Sequence, residues 1–258
     1  MNSDILSFMR NFLKKIPGLK KFIIWLRTFF RPSLPIYHST RKDYTKADSV
    51  SVVKRRKLLN LLDYTKTSGV GYAATSYEAG YHKIKIDGVE FSGQRDPKNR
   101  TDLAPYDFKN KTILDIGSNQ GGMIFALKDQ FRWAIGVDYD PRMVNASNLV
   151  SREMGISNAH FYVFDIDKDP ILLLKDFLPE QNVDIIFLLA VCRWVKEWKC
   201  LIDNCTSLSK NMLFESNGNQ ECQAEQLAYL NKKYKKVDLL LDGSDDGSTR
   251  RLYFASNE

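Results

Sequence analysis

Residues 112–127 read TILDIGSNQGGMIFAL, and the order of residue types in this stretch sets the fold. Thr112 to Gly117 begins as an apolar, β-branched run around one carboxylate, Asp115, which is the composition of a strand. A loop of small and polar residues follows, with Gly117, Ser118, Asn119, Gln120, Gly121 and Gly122. A helical pattern then runs from Gly121 to Asp129. Glycines in such a loop let the backbone turn sharply and come close to a ligand.

The same alternation continues to the end of the chain. Strand patterns at 133–138, 159–165, 183–191 and 211–216 are separated by helical patterns at 141–154, 170–178, 193–208 and 221–234. Pro141 stands at a first helical turn, where its missing N–H costs nothing. VDIIFLLAV (183–191) is a continuous apolar run of the kind found in strands covered on both faces. Strand–helix alternation argues for a doubly wound parallel sheet. The last two strands, 236–243 and 249–256, have only a short polar loop between them and must pair antiparallel. The expected fold class is therefore α/β: a doubly wound, mostly parallel seven-stranded sheet that closes on an antiparallel C-terminal hairpin.

A parallel sheet ending in a late hairpin, with an acid and alternate glycine positions after the first strand, resembles the class I S-adenosylmethionine-dependent methyltransferases. The resemblance covers about 109–258. The family's loop glycines correspond to Gly117, Asn119 and Gly121 after Asp115, and Asn119 replaces a glycine with a residue that tolerates a left-handed backbone. The resemblance implies that Asp115, Gly117, Ser118, Asn119 and Gly121 cradle the methionine part of S-adenosylmethionine, with Asp115 near its amino group. Asp138, ending the second strand, would take the ribose hydroxyls, as acids do in dinucleotide folds. Tyr139 would lie along the adenine. Asp165 and Ile166, after the third strand, would meet its amino group and line the base. Leu189 would stand at the mouth of the active site. A nicotinamide cofactor is the competing reading, but its fingerprint is GxGxxG and the run here is GSNQGG.

The acceptor side is less defined. His82, Arg95 and Arg100 stand out in GYHKIKIDGVEFSGQRDPKNRTDL (80–103), ahead of the first strand. SGQRDPKNR is loosely similar to a stretch in some bacterial methyltransferases that act on sugars or polysaccharides. His82 reads as a general base or as a surface strand histidine. Arg95 and Arg100 read as a clamp for a phosphate or carboxylate, or as solvated loop charge. Glu215 ends the fifth strand and faces the same cleft, or caps the next helix. Arg193 and Trp194 stand at the mouth, Trp194 as a platform for a sugar or base or as core. His82, Glu215 and Arg193 are the catalytic candidates; Arg95, Arg100 and Trp194 are the substrate-binding ones.

Charge divides the chain. Residues 1–57 carry 14 Lys and Arg against three acids, whereas the other 201 residues carry 24 basic against 28 acidic groups. A polyanion groove across the body wants the opposite sign, so nucleic acid is disfavoured as a partner. Residues 1–31 form two amphipathic helical patterns broken at Ile16–Gly18, with Lys and Arg opposite the apolar face. No run of about 18 apolar residues exists there, so a spanning helix is excluded. The extension reads as a basic amphipathic hairpin lying on an anionic membrane, or as a face packed on the body or on a homodimer partner. Residues 32–57 read as a linker and basic stretch, 58–108 as a substrate-covering segment, and 109–258 as the cofactor domain. The four cysteines form no CxxC pair and read as free thiols of a reducing compartment. Three histidines without a Cys or His cluster give no metal site.

These readings lead to a methyltransferase that O-methylates a glycan or lipid-linked glycan at the cytoplasmic membrane face. Methylation of a lipophilic quinone-like molecule or of RNA, and a scaffold that keeps the cofactor fold without chemistry, are the alternatives.

Overall fold

The computed structural model describes residues 52–67, 76–86, 89–243 and 247–258. The amphipathic hairpin expected at 1–31 and the linker expected from 32 up to 51 lie outside them. The stretch from Val52 is helical: α1 spans Val52–Thr65, so the end of the expected linker is the start of a helix. Its Leu58, Leu59 and Leu62 are buried on one face.

Four short strands follow. β1 (Gly80–His82) pairs in parallel with β4 (Gly93–Arg95), and β2 (Ile84–Ile86) forms a hairpin with β3 (Val89–Phe91). Arg55 of α1 lies over the Phe91 ring, 4.5 Å from its centroid, and bonds Glu78. A single helical turn, α2 (Lys98–Thr101), leads to the main sheet.

The strands of that sheet are β5 (Thr112–Ile116), β6 (Trp133–Asp138), β7 (Ala159–Val163), β8 (Ile185–Leu189), β9 (Asn211–Glu215), β10 (Lys236–Asp242) and β11 (Arg251–Ser256). Their order is β10-β11-β9-β8-β5-β6-β7. β5 to β9 are parallel, and β11 enters antiparallel between β9 and β10. The seven strands, the parallel body and the closing hairpin are as the alternation of the sequence requires. Every residue of β5 is buried, as a central strand covered on both faces must be.

Helices α3 (Gly122–Ala126), α4 (Pro141–Glu153), α5 (Leu174–Phe177), α6 (Trp198–Leu208) and α7 (Gln220–Lys233) fill the connections. Asp140 caps α4, accepting the Arg142 N–H at 2.9 Å, with Pro141 at the first helical position. Leu201, Ile202, Cys205 and Leu208 of α6 are buried at helical spacing against the sheet.

Several boundaries differ from the pattern, among them a strand expected over 183–191 that spans Ile185–Leu189. The helix expected over Gly121–Asp129 is Gly122–Ala126, one turn and a little more; Gly121, with a left-handed backbone, is its N-cap, and Leu127 leaves the helical conformation. The helix expected from Arg193 starts at Trp198; Cys192–Trp194 is a separate 3-10 turn. β7 stops at Val163, two residues short of Asp165.

Candidate active site

In an open parallel sheet the ligand crevice lies beyond the carboxyl ends of the strands. Here it begins where β5 ends. Gly117, Asn119 and Gly121 have φ of 78°, 50° and 76°, so every second residue of the loop is left-handed. Only glycine, and asparagine at some cost, adopts that backbone readily. The Gly117 and Ser118 N–H groups both donate to the Val137 carbonyl, at 2.8 and 2.9 Å, which folds the loop back over β6. The Ser118 hydroxyl lies against Gly136.

Asp138 organises the loop from the end of β6. One carboxylate oxygen accepts the Asn119 N–H and the other the Asp140 N–H, each at 2.9 Å. A carboxylate offers about four acceptor sites in all, so capacity remains here for a ligand hydroxyl. Burial pushes the Asp138 carboxyl up to about 6, against the backbone N–H bonds from Asp140, Asn119 and Tyr139 that favour its charge.

Asp115 is the more unusual acid. It is fully buried, and its Oδ2 has no hydrogen-bond partner among the described residues. Burial, and then the charge of Asp138, push its carboxyl up to about 8, while Arg100 pulls in the opposite direction. An unsatisfied buried carboxyl oxygen costs free energy unless a donor or cation meets it. Asp115 lines a pocket together with Gly117, Met123, Leu189, Tyr81, His82, Arg100 and Glu215. The pocket therefore joins the glycine loop and the ends of β8 and β9 to the cover made by β1 and α2.

The cover sits hard on the loop. A Cβ on Gly122 would lie 2.3 Å from the His82 Cβ, so the absence of a side chain at Gly122 is what admits His82. His82 is 6% exposed and is not the surface strand histidine of the alternative reading. Its register partner across β1 and β4 is Arg95. The Gln120 side-chain amide donates to the Thr65 hydroxyl at 2.5 Å, tying the loop to the end of α1.

Glu215 does face the cleft, but it is not available as a base. Arg95 donates to both of its oxygens, at 2.6 and 3.0 Å, and Arg100 approaches one of them at 3.4 Å. All three side chains are at most 4% exposed. A carboxylate gripped in this way is a counter-ion. Arg95 is corrected with it: its fork is spent on Glu215 and on the Tyr81 hydroxyl, 3.2 Å away, and not on a substrate. Neither it nor Arg100 is solvated loop charge.

The mouth beyond β8 is built on a strained residue. Ala190 has φ 58°, held by its N–H to the Glu215 carbonyl and by the Asn217 amide on its own carbonyl. Val191 packs against Gly117. Arg193 and Trp194 follow on the 3-10 turn, fixed by the Arg193 N–H to Asn217 Oδ1 at 2.9 Å. Both side chains are exposed, Trp194 at 68%, so Trp194 is not core. Neither Arg193 nor Trp194 lines the pocket that holds His82 and Asp115.

On the adenine side, Tyr139 is 45% exposed directly after Asp138. Asp165 lies in a turn past the end of β7, paired with Lys168 and accepting the Asp167 N–H. The Phe164 N–H to the Asp138 carbonyl, 2.9 Å, keeps this turn beside the end of β6. Ile166 is half-buried and packs against the core. Among the described residues no group of three His, Cys, Asp or Glu side chains converges to hold a metal ion.

Tyr81, Gln120, Asn217 and Arg250 did not stand out in the sequence. Tyr81 accepts from Arg250 at 3.1 Å as well as from Arg95, and lines the pocket. Its one visible signal was its place next to His82.

A methyltransferase-domain family model matches residues 107–245, more than half of the chain. No curated protein matches. Among solved structures, the N-terminal domain of EvdMO1 in the presence of S-adenosylhomocysteine (SAH) and D-fucose is similar, at 13% identity and a TM-score of 0.55, over 68% of this chain and 90% of that one. The bifunctional kinase-methyltransferase WbdD is similar at 20% identity and a TM-score of 0.57, over 75% of this chain but only 45% of that one. The chain thus spans less than half the length of WbdD. The residues at the strand ends suit the cofactor these matches imply: the orphaned Asp115 oxygen suits a cationic amino group, the left-handed loop leaves backbone beside it, and Asp138, outside that small pocket, keeps acceptor capacity for a ribose hydroxyl. The chain belongs to the methyltransferase-domain family and is a class I S-adenosylmethionine-dependent methyltransferase.

Proposed function

We propose that this methyltransferase O-methylates a hydroxyl of a glycan or lipid-linked glycan at the cytoplasmic face of a membrane. The observation that carries the acceptor class is Trp194, held 68% exposed at the carboxyl edge of the sheet by the turn that Asn217 fixes. A tryptophan presented in this way offers a flat apolar face with a polar edge, which suits stacking on a sugar ring. S-adenosylmethionine supplies a methyl group on a sulfonium, and S-adenosylhomocysteine is the product that leaves. The chain's part is to position the hydroxyl and to receive its proton. His82 is the proton acceptor in this reading, since it lines the pocket beside Asp115 and is held in place by contact with Gly122. The basic amphipathic pattern of residues 1–31 supports the membrane part of the proposal.

The test is transfer of labelled methyl groups to lipid-linked glycans, quinol precursors and RNA offered separately. Label in the glycan fraction that survives mild alkali, as an ether does and an ester does not, is the expected result. Label confined to the quinol or RNA fraction overturns the acceptor class. Deleting residues 1–31 is expected to release the protein from anionic vesicles while leaving S-adenosylmethionine binding intact. Undiminished vesicle binding overturns the membrane assignment.

A further inference from the structure

We propose that a wholly polar cavity at the tip of the β10–β11 hairpin is a binding site for a neutral sugar residue. In the acceptor role, which rests on the glycan reading, it holds a further sugar unit beside the one that is methylated.

Three observations carry it. First, the cavity has the size of a small-ligand site: about 330 Å³, against about 300–1,000 Å³ for pockets that take small molecules. Second, its lining selects the ligand. The side chains are those of Gln220, Gln223, Asp242, Ser248, Thr249 and Arg251, with no apolar side chain among the described residues. The one carboxylate and the one guanidinium pair with each other, Arg251 Nε donating to Asp242 Oδ1 at 2.7 Å, so the lining has no net formal charge. Such a wall favours neither an apolar ligand nor an ion, and suits a neutral one whose groups both donate and accept. Third, hydrogen-bonding capacity is left over. Among the described residues the Gln220 amide and the second oxygen of Asp242 meet no partner. The Thr249 hydroxyl accepts from the Gln223 amide at 3.3 Å and keeps its own proton to donate. A sugar hydroxyl donates once and accepts twice, so a carboxylate oxygen, an amide and a hydroxyl are the partners it needs.

The frame behind these groups is fixed, and it adjoins the first pocket. Gln223 is 3% exposed; its side-chain oxygen accepts the Ser216 hydroxyl at 2.7 Å, and its amide donates to the Gly218 carbonyl at 3.0 Å. β10 runs parallel to β9, because each pairs antiparallel with β11, so Asp242 ends its strand at the same edge of the sheet as Glu215. Ser216, which holds Gln223, directly follows Glu215 of the first pocket. Arg250, between Thr249 and Arg251 of the cavity, donates to the Tyr81 hydroxyl of the first pocket at 3.1 Å. Gly218 lies against the Arg193 side chain, so the turn that presents Trp194 is braced on the same wall. A glycan with one sugar at His82 thus finds its next polar station at the hairpin.

NMR titration of the isotope-labelled protein with methyl glycosides of glucose, galactose, mannose, fucose and N-acetylglucosamine tests the site without turnover, with inorganic phosphate as the charged control. For at least one glycoside the side-chain amide signals of Gln220 and Gln223 are expected to shift saturably. Gln220→Ala and Asp242→Asn, both at exposed positions, are each expected to weaken that binding about fivefold, the worth of one hydrogen bond. No shift with any glycoside overturns the proposal, as do shifts confined to residues outside the cavity or a stronger response to phosphate. The acceptor role is read separately, in the transfer assay. There the two substitutions together are expected to raise KM for a glycan acceptor at least about tenfold, with the Kd for S-adenosylmethionine within about twofold of the wild type. An unchanged KM beside lost glycoside binding overturns the acceptor role. Methyl transfer to the quinol or RNA fraction alone overturns the glycan reading and the acceptor role with it, while the glycoside titration still decides the sugar site.

Discussion

The cofactor wall of the cleft is made from neighbours in the chain, whereas the cover wall is assembled across it. Asp138 reaches the loop 19 residues away through Asn119, and strand ends in parallel register bring the rest. Glu215 meets Arg95 and Arg100 across 120 and 115 residues. The first wall uses backbone conformation and N–H groups to shape a surface. The second uses buried charge to lock a small segment of short strands onto a large sheet. Damage to the first wall should therefore show in binding, and damage to the second in stability.

Asp138→Ala is expected to have the largest effect on binding. It strands two buried N–H groups, those of Asn119 and Asp140, and removes the ribose acceptor. A loss of at least about 100-fold in affinity for S-adenosylmethionine is expected, since each bond to a charged group is worth about 1.5–3 kcal/mol. Calorimetry on a folded variant measures it, and an unchanged Kd would remove Asp138 from the site. Glu215→Ala is the counterpart on the other wall. It leaves Arg95 and Arg100 buried without their shared carboxylate, at a cost of about 3–5 kcal/mol. Urea unfolding measures it. A cost below about 1 kcal/mol would mean that the cover is held by its apolar contacts and that the cluster is not its lock.

The same contrast explains what could be read from the sequence. The loop and the acids after it were visible because strand–loop–helix order is local, and the left-handed backbone of Asn119 was foreseen from its side chain. Asp165 was placed at a strand end because AHFYVFD continues the strand pattern, yet β7 stops at Val163 and the acid turns to Lys168. Glu215 was correctly directed at the cleft by register, but its partners were not legible. Nothing local in GQR or KNRT tells an arginine that will be buried from one that will be solvated. That decision is made by a carboxylate more than a hundred residues away. His82 was ambiguous for the same reason: it is buried by contacts such as that with Gly122, which lies 40 residues further along the chain.

That contact gives a sharper test of how the walls are joined. Gly122→Ala puts a methyl group 2.3 Å from the His82 Cβ, too close to remain without movement of β1 or α3. Overpacking of this kind costs about 1–3 kcal/mol. Because the displaced group lines the pocket, both stability and cofactor affinity should fall together. A variant that loses stability but binds normally would separate the two walls more than the structure does.

The smallest expected effect is a pH dependence of about tenfold, and its sign follows from Asp115. Its carboxyl is held up to about 8 in the folded chain, from an ordinary 3.8, by burial and by Asp138. The folded state thus keeps a proton that the unfolded chain releases near pH 4, so this group's contribution to stability falls as pH rises from about 4 to about 8. Cofactor binding runs the other way. A cationic amino group on Asp115 favours the ionised carboxylate, so binding near neutral pH should expel the proton. The affinity should then rise between pH 6 and 7, by about tenfold if Asp115 alone titrates, with any proton still carried by Asp138, held up to about 6, adding to the rise. Calorimetry in two buffers of different ionisation enthalpy counts the protons released. Asp115→Asn should abolish the release while keeping the side-chain shape. A release that survives this substitution would assign the proton to Asp138, and with it the pH dependence would belong to the ribose end of the pocket.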